Sequence, residues 1–169
     1  MTAEQAKAVA NAFAGLMENE FNTTCKVLGA VKDDTRDYRP DDKSRTAWQL
    51  TTHVATGDVW FLDSIINGKF TWDPDSEKKA EAAFKNVAEV VAYYKATFPE
   101  KIKALRAMSS DDLLRPVDFF GKFTQPAVGW LGMANNHGIH HRGQLASYLR
   151  AQGSKVPAMY GPSADEPMA

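Results

Sequence analysis

The chain has 169 residues, of which 44% are hydrophobic and 24% are charged, and its formal net charge is −1. This composition excludes a disordered chain and a strongly basic nucleic-acid-binding protein, and the length indicates one domain over residues 1–169. Charged or amide residues interrupt every apolar run before it reaches the length of a membrane span. The single cysteine, Cys25, cannot form an internal disulfide, which favours a cytoplasmic protein in which Cys25 is a small buried residue.

Helical periodicity dominates the first half of the chain. Apolar residues recur every three or four positions over residues 3–29 and predict a long amphipathic helix there. After a charged loop, Ser44 is the expected N-cap of a second helix, which ends at the Asn67–Gly68 pair. A short helical piece is expected over residues 75–84.

Two further long helices are predicted in the second half. Asn86, with a glutamate three residues later, has the pattern of a capping box and opens a third helix that runs to Met108. Thr124, with Pro126 in the first turn, opens a fourth helix that ends at Arg150. No segment has a clear strand pattern. Four helices of this length predict an all-α four-helix bundle, and the long first and third loops indicate crossover connections.

Three of the four histidines lie within five residues of one another. His137 and His141 are one helical turn apart, which is the spacing at which two imidazoles on a helix can bind one metal ion. Both lie on the same face as Trp130 and Tyr148, so they need partners inside an apolar stripe. Two interpretations remain open: a metal-binding pair, or two core histidines that are hydrogen-bonded to neighbouring groups.

The remaining histidines differ in their expected roles. His53 stands alone in the middle of the second helix; by itself it is more simply a core histidine, but it is the natural third ligand if the second and fourth helices face each other. His140 lies on the opposite flank of His137 from His141 and is predicted not to bind the metal. Position 138 is glycine, so the chain lacks the glutamate that acts as general base in metalloproteases.

A family resemblance rests on His53, on the His137-x-x-x-His141 pair and on the Arg142-Gly143-Gln144 string that follows it. These motifs resemble the DinB/YfiT-like family of metal-binding four-helix proteins, and the likeness extends along much of the chain. The resemblance implies an antiparallel bundle with crossover connections and one divalent metal ion held by His53, His137 and His141. It also implies a homodimer.

The expected chemistry follows from an incomplete ligand set. Three neutral imidazoles leave at least one coordination position open, which is typical of catalytic sites. An ion there would lower the pKa of a bound water or hold a thiol as thiolate. The resemblance implies a metal-dependent transferase that uses a low-molecular-weight thiol, or a small-molecule hydrolase. The alternative is a non-catalytic metal-binding bundle whose ion is structural or sequesters a ligand. Zinc or nickel is expected first, with iron or manganese as alternatives, because three imidazoles suit several ions.

Four residues near the histidines each have more than one possible role. Gly57 either leaves room over the metal or permits close helix packing. Gln144 either hydrogen-bonds a ligand imidazole or satisfies a backbone group. Asp58 could orient an imidazole or act as a base, but a solvated face is expected for it. Arg142 is expected to make a structural pair or to lie in an interface.

The aromatic residues divide into two predicted sets. One set is expected first of all in the core, with the lining of a pocket as the alternative: Trp60, Tyr93, Tyr94 and Trp130. The other set is expected to be exposed and to contribute to a dimer interface: Phe70 and Trp72.

Overall fold

The structure, a computed structural model, describes residues 1–167. Within this range the chain forms six α-helices, one short 3₁₀ helix and one antiparallel hairpin. In chain order these are α1 (Ala3–Gly29), α2 (Ala47–Asn67), α3 (Ser76–Ala82), α4 (Val87–Ala107), α5 (Ser110–Leu114), β1 (Pro116–Phe119), β2 (Phe123–Pro126), the 3₁₀ helix (Ala127–Trp130) and α6 (Leu131–Ala151). The predicted domain of residues 1–169 ends two residues later, so Met168 and Ala169 lie outside the described residues.

The four long helices build the bundle that the sequence predicts. Each of α1 and α2 packs mainly against both α4 and α6, so α1 and α2 lie diagonally across the bundle. The connections after α1 and after α4 therefore cross between diagonal positions, which explains their length. The all-α fold with crossover connections is confirmed. Leucines from all four helices are fully buried at its centre: Leu28, Leu62, Leu105 and Leu145.

The start of α2 differs from the prediction by two residues. Thr46, and not Ser44, is the N-cap: its hydroxyl accepts from the Gln49 backbone N–H, and Gln49 Oε1 accepts from the Thr46 backbone N–H. Ser44 instead donates its hydroxyl to Asp41 in the preceding loop. The predicted end is confirmed, because Gly68 adopts the left-handed conformation at φ 70°.

A β-hairpin stands where the sequence predicted the start of the fourth helix. Thr124 and Pro126 belong to β2, which pairs with β1, and α6 begins only at Leu131. The turn needs positive φ at Phe120 (55°) and Gly121 (70°), and Asp118 accepts hydrogen bonds from the Gly121 backbone N–H and the Thr124 hydroxyl. The prediction that the chain contains no strand is therefore wrong.

The segment between α2 and α4 also departs from expectation in detail. Phe70 is buried, because it packs against Phe119 of the hairpin and Trp130, whereas Trp72 is exposed as predicted. The helical piece is shorter than expected and runs from Ser76 to Ala82. At the start of α4, Asn86 accepts from the Glu89 backbone N–H, but Glu89 accepts from the backbone N–H of the residue before Asn86, so only half of the capping box forms.

Within residues 1–167 none of the helices combines the length and the apolar character that crossing a membrane requires.

Candidate metal centre

The three predicted ligands meet between two helices of the bundle. His53 lies on α2, His137 and His141 lie on α6, and these two helices pack against each other. One ring nitrogen from each histidine lies within 4.8 Å of the other two. The closest pair is His53 Nε2 and His137 Nε2, which are 3.0 Å apart. The structure thus brings His53, His137 and His141 into one half-buried cluster.

A buried carboxylate orients the central histidine. Asp58 Oδ1 lies 3.3 Å from His137 Nδ1, and Asp58 Oδ2 accepts a 3.0 Å hydrogen bond from the Tyr94 hydroxyl. A carboxylate beside Nδ1 favours the His137 tautomer with its proton on Nδ1, and in this tautomer the Nε2 lone pair faces the cluster. Burial and the neighbouring Asp58 raise the pKa of Tyr94 well above its ordinary value, so its hydroxyl remains a donor.

The solvated face predicted for Asp58 is wrong, since the side chain is buried. Thirteen of the 21 residues of α2 are buried, because α4 and α6 both pack against this helix. Little of its circumference is left for solvent, and Asp58 points between the two neighbouring helices.

Oxygen atoms of Gln144 and Glu77 lie on the outer side of the other two imidazoles. Gln144 Oε1 lies 2.7 Å from His141 Nδ1, so of the two predicted roles for Gln144 the structure shows the bond to the imidazole. This bond fixes the proton of His141 on Nδ1 and leaves Nε2 as the donor atom for a metal. Glu77 Oε1 of α3 lies 3.9 Å from His53 Nδ1, which is too far for a hydrogen bond.

Two glycines make this arrangement sterically possible. A Cβ atom at Gly57 would lie 2.7 Å from His137 Cε1, and one at Gly138 would lie 2.9 Å from Asp58 Oδ1. Both contacts are far shorter than packed atoms allow. Gly57 therefore makes room for the His137 ring, and Gly138 makes room for the carboxylate that orients it.

The surroundings favour neutral imidazoles. Burial, followed by the positive charge of Arg45 and by His137 and His141, lowers the pKa of His53 from 6.5 to about 3. Burial is also the main cause of the lowered pKa of His141, and the hydrogen bond with Gln144 opposes it. Metal ions bind the neutral imidazole, so protons compete weakly for these two ligands at neutral pH.

The donor set fits a divalent transition-metal ion. The Nε2 atoms of His53 and His137 are 3.0 Å apart, a separation at which they can share a proton or face one cation. Three imidazoles are a ligand set suited to zinc, nickel or iron. The three-histidine group can therefore bind a metal ion, and its composition leaves the choice among these ions open.

The two neighbouring residues His140 and Arg142 lie outside the cluster. His140 is exposed, and its ring stacks edge-on against that of His141. Arg142 is buried and makes the structural pair that was predicted: it donates to Glu20, to the hydroxyl of Thr24 and to Tyr160. These hydrogen bonds of Arg142 connect α6 with α1 and with the C-terminal tail.

A cavity of about 500 Å³ opens beside the cluster, between α2 and residues 71–81. His53 and His137 form part of its wall, so the histidines face open space. The sequence did not predict this cavity, because Trp60 was expected first in the core, with the lining of a pocket only as the alternative, and Trp72 in an interface. Further lining residues that bear on its chemistry are Gln49, Phe61, Asp73, Glu77, Lys79 and Glu81.

Fold and site together define a crossover four-helix bundle with a three-histidine centre beside an open cavity. The sequence profile of the DinB family matches residues 8–168, and the chain belongs to this family. Among curated relatives it is similar to the uncharacterized protein YjoA of Bacillus subtilis (strain 168), with 27% identity over 135 residues that cover 78% of this chain and 83% of YjoA.

Solved structures show the same fold. A DinB-like protein from Bacillus cereus ATCC 10987 superposes with a TM-score of 0.72 at 23% identity, covering 89% of this chain and 97% of that one. The crystal structure of YjoA gives a TM-score of 0.69 at 22% identity, with 88% and 96% covered. A mycothiol-dependent maleylpyruvate isomerase is more distant, with a TM-score of 0.59 at 16% identity over 86% of this chain and 61% of the isomerase.

Proposed function

We propose that this protein is a metal-dependent enzyme that acts on a small molecule, with one divalent ion held by His53, His137 and His141. The observation that carries the proposal is the position of the cluster: His53 and His137 form part of the wall of a cavity of about 500 Å³. A purely structural ion would be enclosed by protein ligands, whereas a catalytic ion needs an open position that substrate can reach.

The protein groups have separate tasks in this proposal. Asp58 and Gln144 hold His137 and His141 with Nδ1 protonated and Nε2 free for the ion. When bound, the ion would supply Lewis acidity at its open position. Trp60 and Phe61 in the cavity wall exclude water from one side of the bound molecule. Glu77, which lies 3.9 Å from His53 Nδ1, is a carboxylate that can accept a proton at the cavity surface.

Two reaction types fit this arrangement. The first is thiol-dependent S-transfer, which the likeness in fold to a mycothiol-dependent isomerase supports. The second is hydrolysis of a small molecule, which needs the same three ligands and a water in place of the thiol. A non-catalytic bundle that sequesters a ligand at the metal is the competing proposal.

The first experiment measures metal content in the untagged protein by elemental analysis. We expect about one equivalent of zinc or nickel in the parent, its loss in His141→Ala and its retention in His140→Ala. The two variants remove adjacent imidazoles from the same helix, and only one of them belongs to the cluster. Equal metal content in the two variants would contradict the ligand set.

A second measurement separates the enzyme from the non-catalytic alternative. Thiol consumption and ester hydrolysis are followed with the metal-loaded, the chelator-treated and the reloaded protein. Turnover that disappears with the metal and returns with it supports catalysis. Full metal content without turnover on either substrate type favours the sequestering bundle.

A further inference from the structure

Residues that line the cavity beside the histidines follow one another along α2. Gln49, His53 and Trp60 all lie on this helix and all line the cavity. At a rise of about 1.5 Å per residue, Gln49 lies about 6 Å before His53 and Trp60 lies about 10 Å after it. The histidines therefore stand between the two ends of the cavity, and a ligand long enough to fill it must pass them.

Helix α3 runs antiparallel to α2 along this cavity. Glu77 lies near His53, and Glu81, one turn later on α3, accepts a 3.3 Å hydrogen bond from Gln49 Nε2, one turn earlier on α2. At the other end, the Trp60 indole N–H donates to the carbonyl oxygen of Thr71, just before α3. Each end of the cavity thus has residues from both segments.

The end at Trp60 is aromatic. Trp60, Phe61 and Trp72 line it, and Trp72 is 68% exposed. Because the indole N–H of Trp60 is already bonded to Thr71, this ring offers its apolar face to a ligand. This end suits a hydrocarbon or aromatic group.

The end at Gln49 has an uncompensated negative charge. Of the carboxylates in the cavity wall, Glu77 pairs with Arg45, and Asp73 pairs with Lys79 at 2.6 Å. Within residues 1–167 Glu81 makes no ion pair; its contact is the neutral amide of Gln49. Lys79 is the one lysine or arginine among the described residues that line the cavity, and it is paired with Asp73, so the wall offers an anionic ligand no unpaired cation.

Building on the proposed function, we propose that the cavity binds an apolar small molecule with a positively charged nitrogen. The cationic group lies at Glu81, the reacting group lies at His53 and His137, and the apolar part lies against Trp60 and Trp72. A carboxylate attracts a substituted ammonium group at the Glu81 end, and the aromatic faces at the other end favour an apolar group. The spacing along α2 places the cation about one helical turn from the reacting group.

Three probes with the same phenylbutyl body test the charge preference: phenylbutyl-trimethylammonium, phenylbutanol and phenylbutyrate. Binding is followed by the change in tryptophan fluorescence, to which Trp60 and Trp72 contribute from the cavity wall, with the protein both metal-loaded and metal-free. A quaternary ammonium cannot ligate a metal, so its affinity reports the cavity alone. In the metal-free protein we expect the cationic probe to bind at least about fivefold more tightly than the carboxylate, with the alcohol between them.

Matched variants locate the effect at Glu81. Glu81→Gln should remove most of the preference for the cationic probe and leave the affinity for phenylbutanol unchanged. Glu100→Gln removes the same charge from an exposed position on α4 and should leave all three affinities unchanged. A carboxylate that binds the metal-free protein as tightly as the cation, a preference that survives in Glu81→Gln, or no binding of any probe would each overturn the proposal.

Failure of the proposed ligand class can be distinguished from failure of the proposed metal-dependent function. Metal content is measured independently by elemental analysis. If the metal binds but the cationic probe has no advantage, only the ligand class is wrong. If the cationic probe is preferred and no metal binds, the cavity assignment holds and the metal-dependent function fails.

Discussion

At the scale of single residues, hydrogen-bonding partners matter as much as the ligands themselves. The contact between Asp58 and His137 fixes which nitrogen of His137 faces the cluster. It exists because the neighbouring position on α6 has no side chain: a Cβ at Gly138 would lie 2.9 Å from Asp58 Oδ1. The proposed metal site therefore depends on a glycine that is not itself one of the proposed ligands.

This dependence can be tested with a pair of glycine substitutions on α6. Gly138→Ala should displace Asp58 from His137 and weaken metal binding by roughly tenfold to a hundredfold, the usual effect of losing a partner that orients a ligand. Gly143→Ala meets nothing within 4 Å and should leave the affinity unchanged while adding about 0.5–1 kcal/mol of helix stability. Competition with a chelator gives the two affinities. Equal affinities in the two variants would show that Asp58 does not orient the ligand.

Part of this site could be predicted from the sequence, and the reason is geometric. His137 and His141 are brought together by the helix itself, so their spacing is sufficient. His53 comes from α2, and its approach to the pair required the resemblance or the fold. Asp58 could not be placed, because a helix packed on two sides has no simple polar face. Gly138, which follows His137 in the sequence, was the available signal. A glycine inside a helix and beside a candidate ligand indicates that a side chain from another element approaches the helix closely there.

At the scale of elements, local capping chemistry decides where helices begin. Ser44 and Thr46 are both plausible caps, but only Thr46 has Gln49 three residues later to complete the reciprocal pair. The hairpin was missed for a related reason. Its strands have four residues each, and proline stands at the start of one and at the end of the other, where it argues against a strand. The Phe120–Gly121 turn between aromatic residues was the signal for it.

The cap assignment gives a stability prediction. Thr46→Ala removes the acceptor for the Gln49 backbone N–H and should lower the free energy of unfolding by about 1 kcal/mol. Ser44→Ala affects only a hydrogen bond within the exposed loop and should change the free energy of unfolding by less than about 0.5 kcal/mol. Urea unfolding measures both variants. A larger loss for Ser44→Ala would restore the start predicted from the sequence.

At the scale of the whole molecule, the C-terminal tail closes one side of the bundle through polar contacts. Asp165 accepts from the Val156 backbone N–H and pairs with Arg150 at the end of α6. Tyr160 joins the buried pair of Arg142 and Glu20. Homodimer formation stays a prediction, and since Phe70 is buried, Trp72 alone of the predicted pair is available for it.

The tail should make stability depend on pH in a defined direction. The hydrogen bond from Val156 and then the one from Arg150 lower the pKa of Asp165 below its ordinary 3.8. Its contribution is therefore fully present above that value and is lost as the pH falls through the lower pKa of the folded state. Asp165→Asn should be less stable than the parent at neutral pH, and the difference should shrink only in strong acid. Unfolding midpoints over a pH series check this, and a constant difference down to the acid limit would contradict it.

The exposed position of helix α3 affects how the sequence of this protein can change in evolution. None of residues 76–82 is buried, and the segment makes side-chain pairs with α2, as between Gln49 and Glu81, and with the residue before the α2 N-cap, as between Arg45 and Glu77. Substitutions there cost little folding free energy, because no core packing is disturbed. The bundle and its histidines can stay constant while this wall of the cavity varies. New ligand preferences are therefore accessible by a few surface mutations, without loss of the fold on the way.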